Sequence, residues 1–207
     1  MKRIYKTTFL FTEALLYTAF LSLDLMTDIE TKWIKFSSIL LVSIFSFLAK
    51  RRLLNAALCL TAAADIFLLL LNRWYGIGIM LFILVQLLYS FHLCSRKLVF
   101  LQLALLLIAG LLLYPYGIIA ALAVGYISVF LINLIHAGVR ARRSKASADL
   151  LFFFGLFLFF CCDLCVGYYN IGSGALWAFA GAAMWAFYLP GQVLILLSDP
   201  GIRGAET

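Results

Sequence analysis

Three carboxylates stand inside long apolar stretches of this 207-residue sequence: Glu13, Asp65 and Asp163. A charged side chain at the centre of a bilayer costs about 2.5–3.5 kcal/mol, so such residues face a protein interior, where they mark function or bond a neighbouring helix. Asp65 lies 12 residues past Leu53, and Asp163 lies 14 past Asp149, in segments that run in the same direction. At 1.5 Å of rise per residue both fall slightly beyond the midplane. On neighbouring helices they meet at one level. Glu13 sits in the inner half of its segment and joins them only loosely. Its face repeats at Tyr17 and Asp24, a polar stripe along that helix.

Other polar residues reach a similar depth from the opposite direction. Gln86 and Tyr89 are three apart, Tyr188 and Gln192 four apart, each pair on one helix face. Asn133 lies deep in its own segment. These five and Glu13 are the candidate substrate-binding residues; polar bonding between helices is the alternative for each. Two carboxyls close together in low dielectric do not both ionise easily. A protonated acid beside an ionised one suits general acid–base hydrolysis of glycosides, acetals or enol ethers. Asp65 and Asp163 are therefore the candidate catalytic pair. His92 and His136 are the only histidines and sit at helix ends. A catalytic zinc wants three protein ligands, so no metal site and no cofactor is expected. Neither a phosphate-binding glycine loop nor a nucleophile elbow occurs.

The elements that must position these groups are membrane helices. The chain is 66% hydrophobic and 12% charged, with mean hydropathy +1.09; a soluble domain is roughly half apolar. Runs of about 20 apolar residues are needed to cross about 30 Å of hydrocarbon. Eight are read, at 7–26, 33–49, 53–72, 75–94, 98–114, 117–137, 149–170 and 174–197, with a tight turn at 115–117 set by Tyr114-Pro115. Basic residues cluster in alternate connections: Lys2, Arg3 and Lys6; "KRR" at 50–52; Arg96 and Lys97; "RARRSK" at 140–145. The positive-inside rule then places both termini in the cytoplasm, and Trp33, Trp74, Trp177 and Tyr168 form an outer aromatic belt. The expected fold is an all-α integral membrane protein with eight transmembrane helices, residues 1–207 forming one polytopic domain. The first segment carries Glu13 and lacks a cleavage site, so it reads as a retained helix. Basic charge here is a topology signal, and no nucleic-acid partner is expected.

Cys59, Cys94, Cys161, Cys162 and Cys165 lie in or at the ends of segments and read as packing residues. The third–fourth and seventh–eighth segments share a faint pattern. Asp65 is followed seven residues later by Asn72, and Asp163 by Asn170, then by Tyr89 or Tyr188 in the next segment. A parallel repeat is one reading of it. Gly174, Ala178, Ala182 and Ala186 form a small-residue stripe suited to close helix contact. Pro190 must free the carbonyl of Ala186, which then needs another partner.

Four stretches resemble the YhhN-like membrane proteins, a family that includes the animal lysoplasmalogenases: "AADIFLLL" (63–70), "FILVQLLYSF" (82–91), "FGLFLFFCCDLCV" (154–166) and "YLPGQVLILLS" (188–198). Ala64 stands where the family usually has Gly, Cys162 where it often has Ser, and Gln86 where many members have His. The resemblance implies hydrolysis of the vinyl ether of lysoplasmalogens, giving a fatty aldehyde and a glycerophospho-head group. It implies Asp65 and Asp163 as the acid–base pair and Tyr188 and Gln192 as motif residues. Protonation of the vinyl β-carbon would give an oxocarbenium ion, which the second carboxylate could stabilise, as in glycoside hydrolysis. The implied partners are a lysophospholipid substrate and membrane lipid. A proton-coupled transporter and a non-catalytic lipid-binding protein are the other readings of the intramembrane acids. A short chain without a targeting extension suits a bacterial inner membrane.

Overall fold

The computed structural model describes residues 2–27, 29–93 and 96–203; Cys94 lies outside them, as do the side chains of Lys2, Arg3, Ile171, Ala175 and Ala178. Among the described residues the regular structure is all helical. The long helices are α1 (Lys2–Met26), α2 (Lys32–Ser46), α3 (Arg52–Asp65), α4 (Tyr75–Leu93), α5 (Arg96–Leu113), α6 (Ile118–Ser144), α7 (Ser147–Ile171) and α8 (Ala175–Leu197). A short α9 (Pro200–Arg203) follows. The turn expected at 115–117 is a 3-10 turn over Tyr114–Tyr116, closed by Gly117 at φ +112°. That backbone angle costs a side-chain-bearing residue dearly and glycine little.

Seven of these helices are long and apolar enough to cross a membrane, which makes the chain a multi-pass membrane protein. The eighth expected span is α2, which falls outside that set. Its fifteen residues give roughly 22 Å of helix, short of about 30 Å of hydrocarbon. The apolar run continues to Ala49, but the hydrogen bonds change. Phe47, Leu48 and Ala49 donate to carbonyls three residues back, at 3.2, 3.1 and 2.8 Å, so the helix tightens and ends early.

α3, α4, α6, α7 and α8 surround a common interior, each packed on the next, with α8 also touching α3. α1 and α2 cover one flank against α8 and α3, and α5 lies outside α6. α5 buries only Val99 and Gln102, as a lipid-facing helix does. Within the interior the core is aromatic: Phe82, Phe130 and Phe159 are buried, with ring centroids 5.2 Å (Phe130–Phe159) and 5.6 Å (Phe82–Phe159) apart.

α7 and α8 approach each other closely. A Cβ on Gly155 would lie 2.9 Å from the Gly191 carbonyl and 2.8 Å from the Ile195 nitrogen. Only glycine lets the two backbones touch there. Gly174 is exposed, Ala182 and Ala186 only half-buried, so the contact falls nearer the other end of α8 than the stripe read from sequence. Pro190 lies inside α8, and the carbonyl it frees does find a partner: the Tyr17 hydroxyl donates to Ala186 O at 3.2 Å.

The basic segments meet at one end of the bundle. The Arg51 guanidinium touches His92 Nε2 at 3.1 Å, and Arg140 pairs with Asp149 at 3.0 Å and reaches His92 O at 3.3 Å. Asp199, fully buried, accepts the backbone N–H of Lys50 (2.9 Å), Arg51 (3.0 Å) and Gly201 (2.6 Å). This carboxylate ties the 47–51 connection to the end of α8. The opposite end carries exposed Trp33, Trp74, Trp177 and Tyr168.

Candidate functional site

Asp65 ends the regular part of α3. From Ile66 to Leu70 the helix widens into a π turn, with Leu71 N bonded to Ile66 O at 2.9 Å, five residues back. Such turns are rare and cluster at functional sites. This one sets the aspartate at the point where the helix changes pitch. Its carboxyl is buried at 5% exposure, and Tyr188 of α8 donates to Oδ2 at 2.7 Å.

Asp163 comes from α7, two turns beyond the Gly155 contact. The Tyr126 hydroxyl of α6 donates to its Oδ2 at 2.5 Å. Asp65 and Asp163 lie near enough for the charge of one to act on the other, and Cys162 and Tyr188 stand within the field of both. Among the described residues, nothing donates to the second oxygen of either carboxyl. Beneath the pair lies an aromatic floor. Phe159, one turn before Asp163, packs on Tyr188 (centroids 5.5 Å apart), and Phe130 packs on Tyr126 (5.7 Å). Two acids from two helices are thus each held by a phenol donated from a third and a fourth.

The remaining expected residues divide into three sets. Tyr188 is in direct contact with the pair. Gln86 lies beside Tyr126, but its carbonyl and Oε1 are taken by Asn133 Nδ2 at 2.7 and 3.0 Å. Asn133 Oδ1 in turn accepts from Gln102 Nε2 at 3.1 Å and lies 2.8 Å from Ser90 Oγ. Asn133 is therefore bound into a buried amide network joining α4, α5 and α6. Glu13 stands on α1, where Ser38 of α2 donates to its Oε2 at 2.8 Å; no hydrogen bond joins it to either aspartate.

Tyr89 and Gln192 form the third set, with Thr61, which the sequence did not single out. All are buried, and among the described residues the hydroxyls of Tyr89 and Thr61 and both amide atoms of Gln192 lack a partner. A buried polar group left unpaired costs about 1–3 kcal/mol. Thr61 is one turn from Asp65, and Gln192 one turn from Tyr188, both on the side facing the basic end. The site thus has unused hydrogen-bonding capacity between the aspartates and that end. Tyr126 and Thr61 were both missed. One signal for Tyr126 existed, a tyrosine deep in an apolar segment; nothing local distinguished Thr61 from any helical threonine.

No cluster of three metal-binding side chains occurs among the described residues. The two hairpins that looked like repeats diverge here. Asp65 takes its phenol from Tyr188, whereas Asp163 takes its own from Tyr126, and Tyr89 serves neither.

The model of the YhhN family matches residues 31–198. This chain belongs to the YhhN family. The match spans α2 through α8 and so includes both aspartates, both phenols and the Gly155–Gly191 contact. No curated protein and no solved structure matches the chain.

Proposed function

We propose that this member of the YhhN family is a membrane hydrolase that cleaves the vinyl ether of lysoplasmalogens. The observation that carries the reading is that Asp65 and Asp163 lie within electrostatic range of each other and each accepts a hydrogen bond from one tyrosine. One carboxyl delivers a proton to the vinyl β-carbon. The other stabilises the oxocarbenium ion and takes a proton from the attacking water. The hemiacetal that forms then breaks its C–O bond to glycerol, releasing an aldehyde and an alcohol. The family's lysoplasmalogenase members support the substrate class. The aromatic floor excludes bulk water, and the unpaired groups of Thr61, Tyr89 and Gln192 offer hydrogen bonds to the polar part of a lipid.

In this reading the basic end faces the cytoplasm and both termini lie there, α2 reaching across with its flanking turns as an eighth span, in a bacterial inner membrane. The decisive experiment follows aldehyde release from a lysoplasmalogen by protein purified in detergent. Turnover that persists in both Asp65→Asn and Asp163→Asn would falsify the mechanism. A proton-coupled carrier is the second reading, favoured by the break at Pro190 and the π turn after Asp65. Solute flux in liposomes with no hydrolysis of any lipid selects it.

A further inference from the structure

A cavity of about 270 Å³ opens at the basic end, between α3, α4 and α7. Arg51, Arg52 and His92 form its polar wall; Leu88, Tyr89 and Phe152 form its apolar one. The cavity is separate from the aspartate pair. Asp65 lies thirteen positions beyond Arg52 along α3, roughly 20 Å of helix.

Three observations say what the cavity takes. First, its cations are not neutralised by a carboxylate among the described residues, although Arg51 bonds His92 Nε2. Among the described residues neither Arg51 nor Arg52 joins an ion pair. The nearby carboxylates are already engaged: Asp199 by three backbone N–H groups, Asp149 by Arg140. Second, Tyr89 lines the cavity, and its buried hydroxyl has no partner among the described residues. Third, the geometry is held. Asp199 fixes the backbone of Arg51, and the Arg51 guanidinium rests on His92, whose ring packs on Phe152 at 5.6 Å. Guanidinium groups are suited to bidentate phosphate binding, and the phenol adds a neutral donor.

We infer that this cavity is a phosphodiester site for the glycerophospho-head group of a single-chain lipid, set apart from the hydrolytic pair. The identity of the lipid rests on the reading given above, but the site does not. A phosphate held at Arg51 and Arg52 leaves the linkage to the chain short of the aspartates. The cavity is therefore a station on the path and not the reacting pose. Thr61 and Gln192, buried and with groups unpaired among the described residues, lie between the two levels.

Binding, not turnover, tests this. A saturated 1-alkyl lysophospholipid cannot be hydrolysed at a vinyl ether, so its affinity is read independently of catalysis. Its binding to protein in nanodiscs should weaken roughly tenfold or more in Arg51→Gln and Arg52→Gln, as loss of a charge-assisted bond implies. Arg52→Lys should recover part of the loss, and Tyr89→Phe, which removes one oxygen, should weaken binding several-fold. A 1-alkylglycerol without phosphate should bind all variants alike. Soluble glycerophosphoethanolamine forms a further arm. If it competes, the cavity serves the departing head group; if only the intact lipid binds, it serves the arriving substrate. Unchanged lysophospholipid affinity in Tyr89→Phe and Arg52→Gln, or equal affinity for the phosphate-free lipid, overturns the inference. Loss of hydrolysis in Asp65→Asn with full lipid binding leaves it standing.

Discussion

At the residue scale the chemistry depends on how two acids are held. Asn in place of either aspartate keeps shape and removes the transferable proton. Each of Asp65→Asn and Asp163→Asn should lower kcat about 10²-fold or more, with the helical circular dichroism and elution volume of the parent. The phenols act one step back, since each touches an aspartate in this structure. Tyr188→Phe and Tyr126→Phe each remove a hydrogen bond to a carboxylate, about 1.5–3 kcal/mol. They should reduce kcat about 10- to 100-fold, less than the aspartate changes, with KM little altered. Equal and small losses of kcat and stability together would instead mark the phenols as packing residues. Glu13 lies outside this prediction, because its carboxylate accepts from Ser38 and has no hydrogen bond to the aspartate pair among the described residues.

At the element scale the site exists because α7 and α8 touch. Gly155→Ala places a methyl group 2.7 to 2.9 Å from Ile195 and from the Gly191 carbonyl. Overpacking of this kind costs about 1–3 kcal/mol, so Tm should fall by roughly 2–10 °C. Activity should fall with it, since the same helix pair carries Asp163 and Tyr188. The Pro190 break offers a cleaner test. Tyr17→Phe leaves the Ala186 carbonyl without its donor, at about 1 kcal/mol. Pro190→Ala restores an N–H in the helix and supplies that carbonyl again. Tyr17→Phe should therefore destabilise the parent more than it destabilises Pro190→Ala, as a double-mutant cycle in thermal unfolding will measure. Equal effects would mean that the tyrosine and proline act independently.

At the scale of the whole molecule the open matter is which way the bundle stands. Single cysteines at Lys97 and Lys145 lie at the basic end; those at Arg73 and Tyr116 lie in the opposite connections. In a background without native cysteines, a membrane-impermeant thiol reagent added to intact cells should label positions 73 and 116. Positions 97 and 145 should label only after lysis. The reverse pattern would invert the topology and move the phosphodiester cavity to the outer leaflet. A cysteine at position 2 that labels with 73 and 116 would mean that α2 does not cross.

Where the apolar segments lie and how they are flanked was legible in the sequence because hydrocarbon imposes it locally. An apolar run, a basic flank and a proline each act within a few residues, and the helix limits follow the runs closely. The positions of Asp65 and Asp163 inside α3 and α7 were legible for the same reason. Where α2 stops was not, because its end depends on hydrogen bonds that tighten near a connection held by Asp199, some 150 residues away. Which phenol serves which acid was also beyond reach: a one-dimensional pattern paired Tyr89 with Asp65 and Tyr188 with Asp163. Packing gives Tyr188 to Asp65 and Tyr126 to Asp163. Helix order around the bundle, set by contacts such as Gly155 on Gly191, decides those partnerships, and only the folded chain contains it.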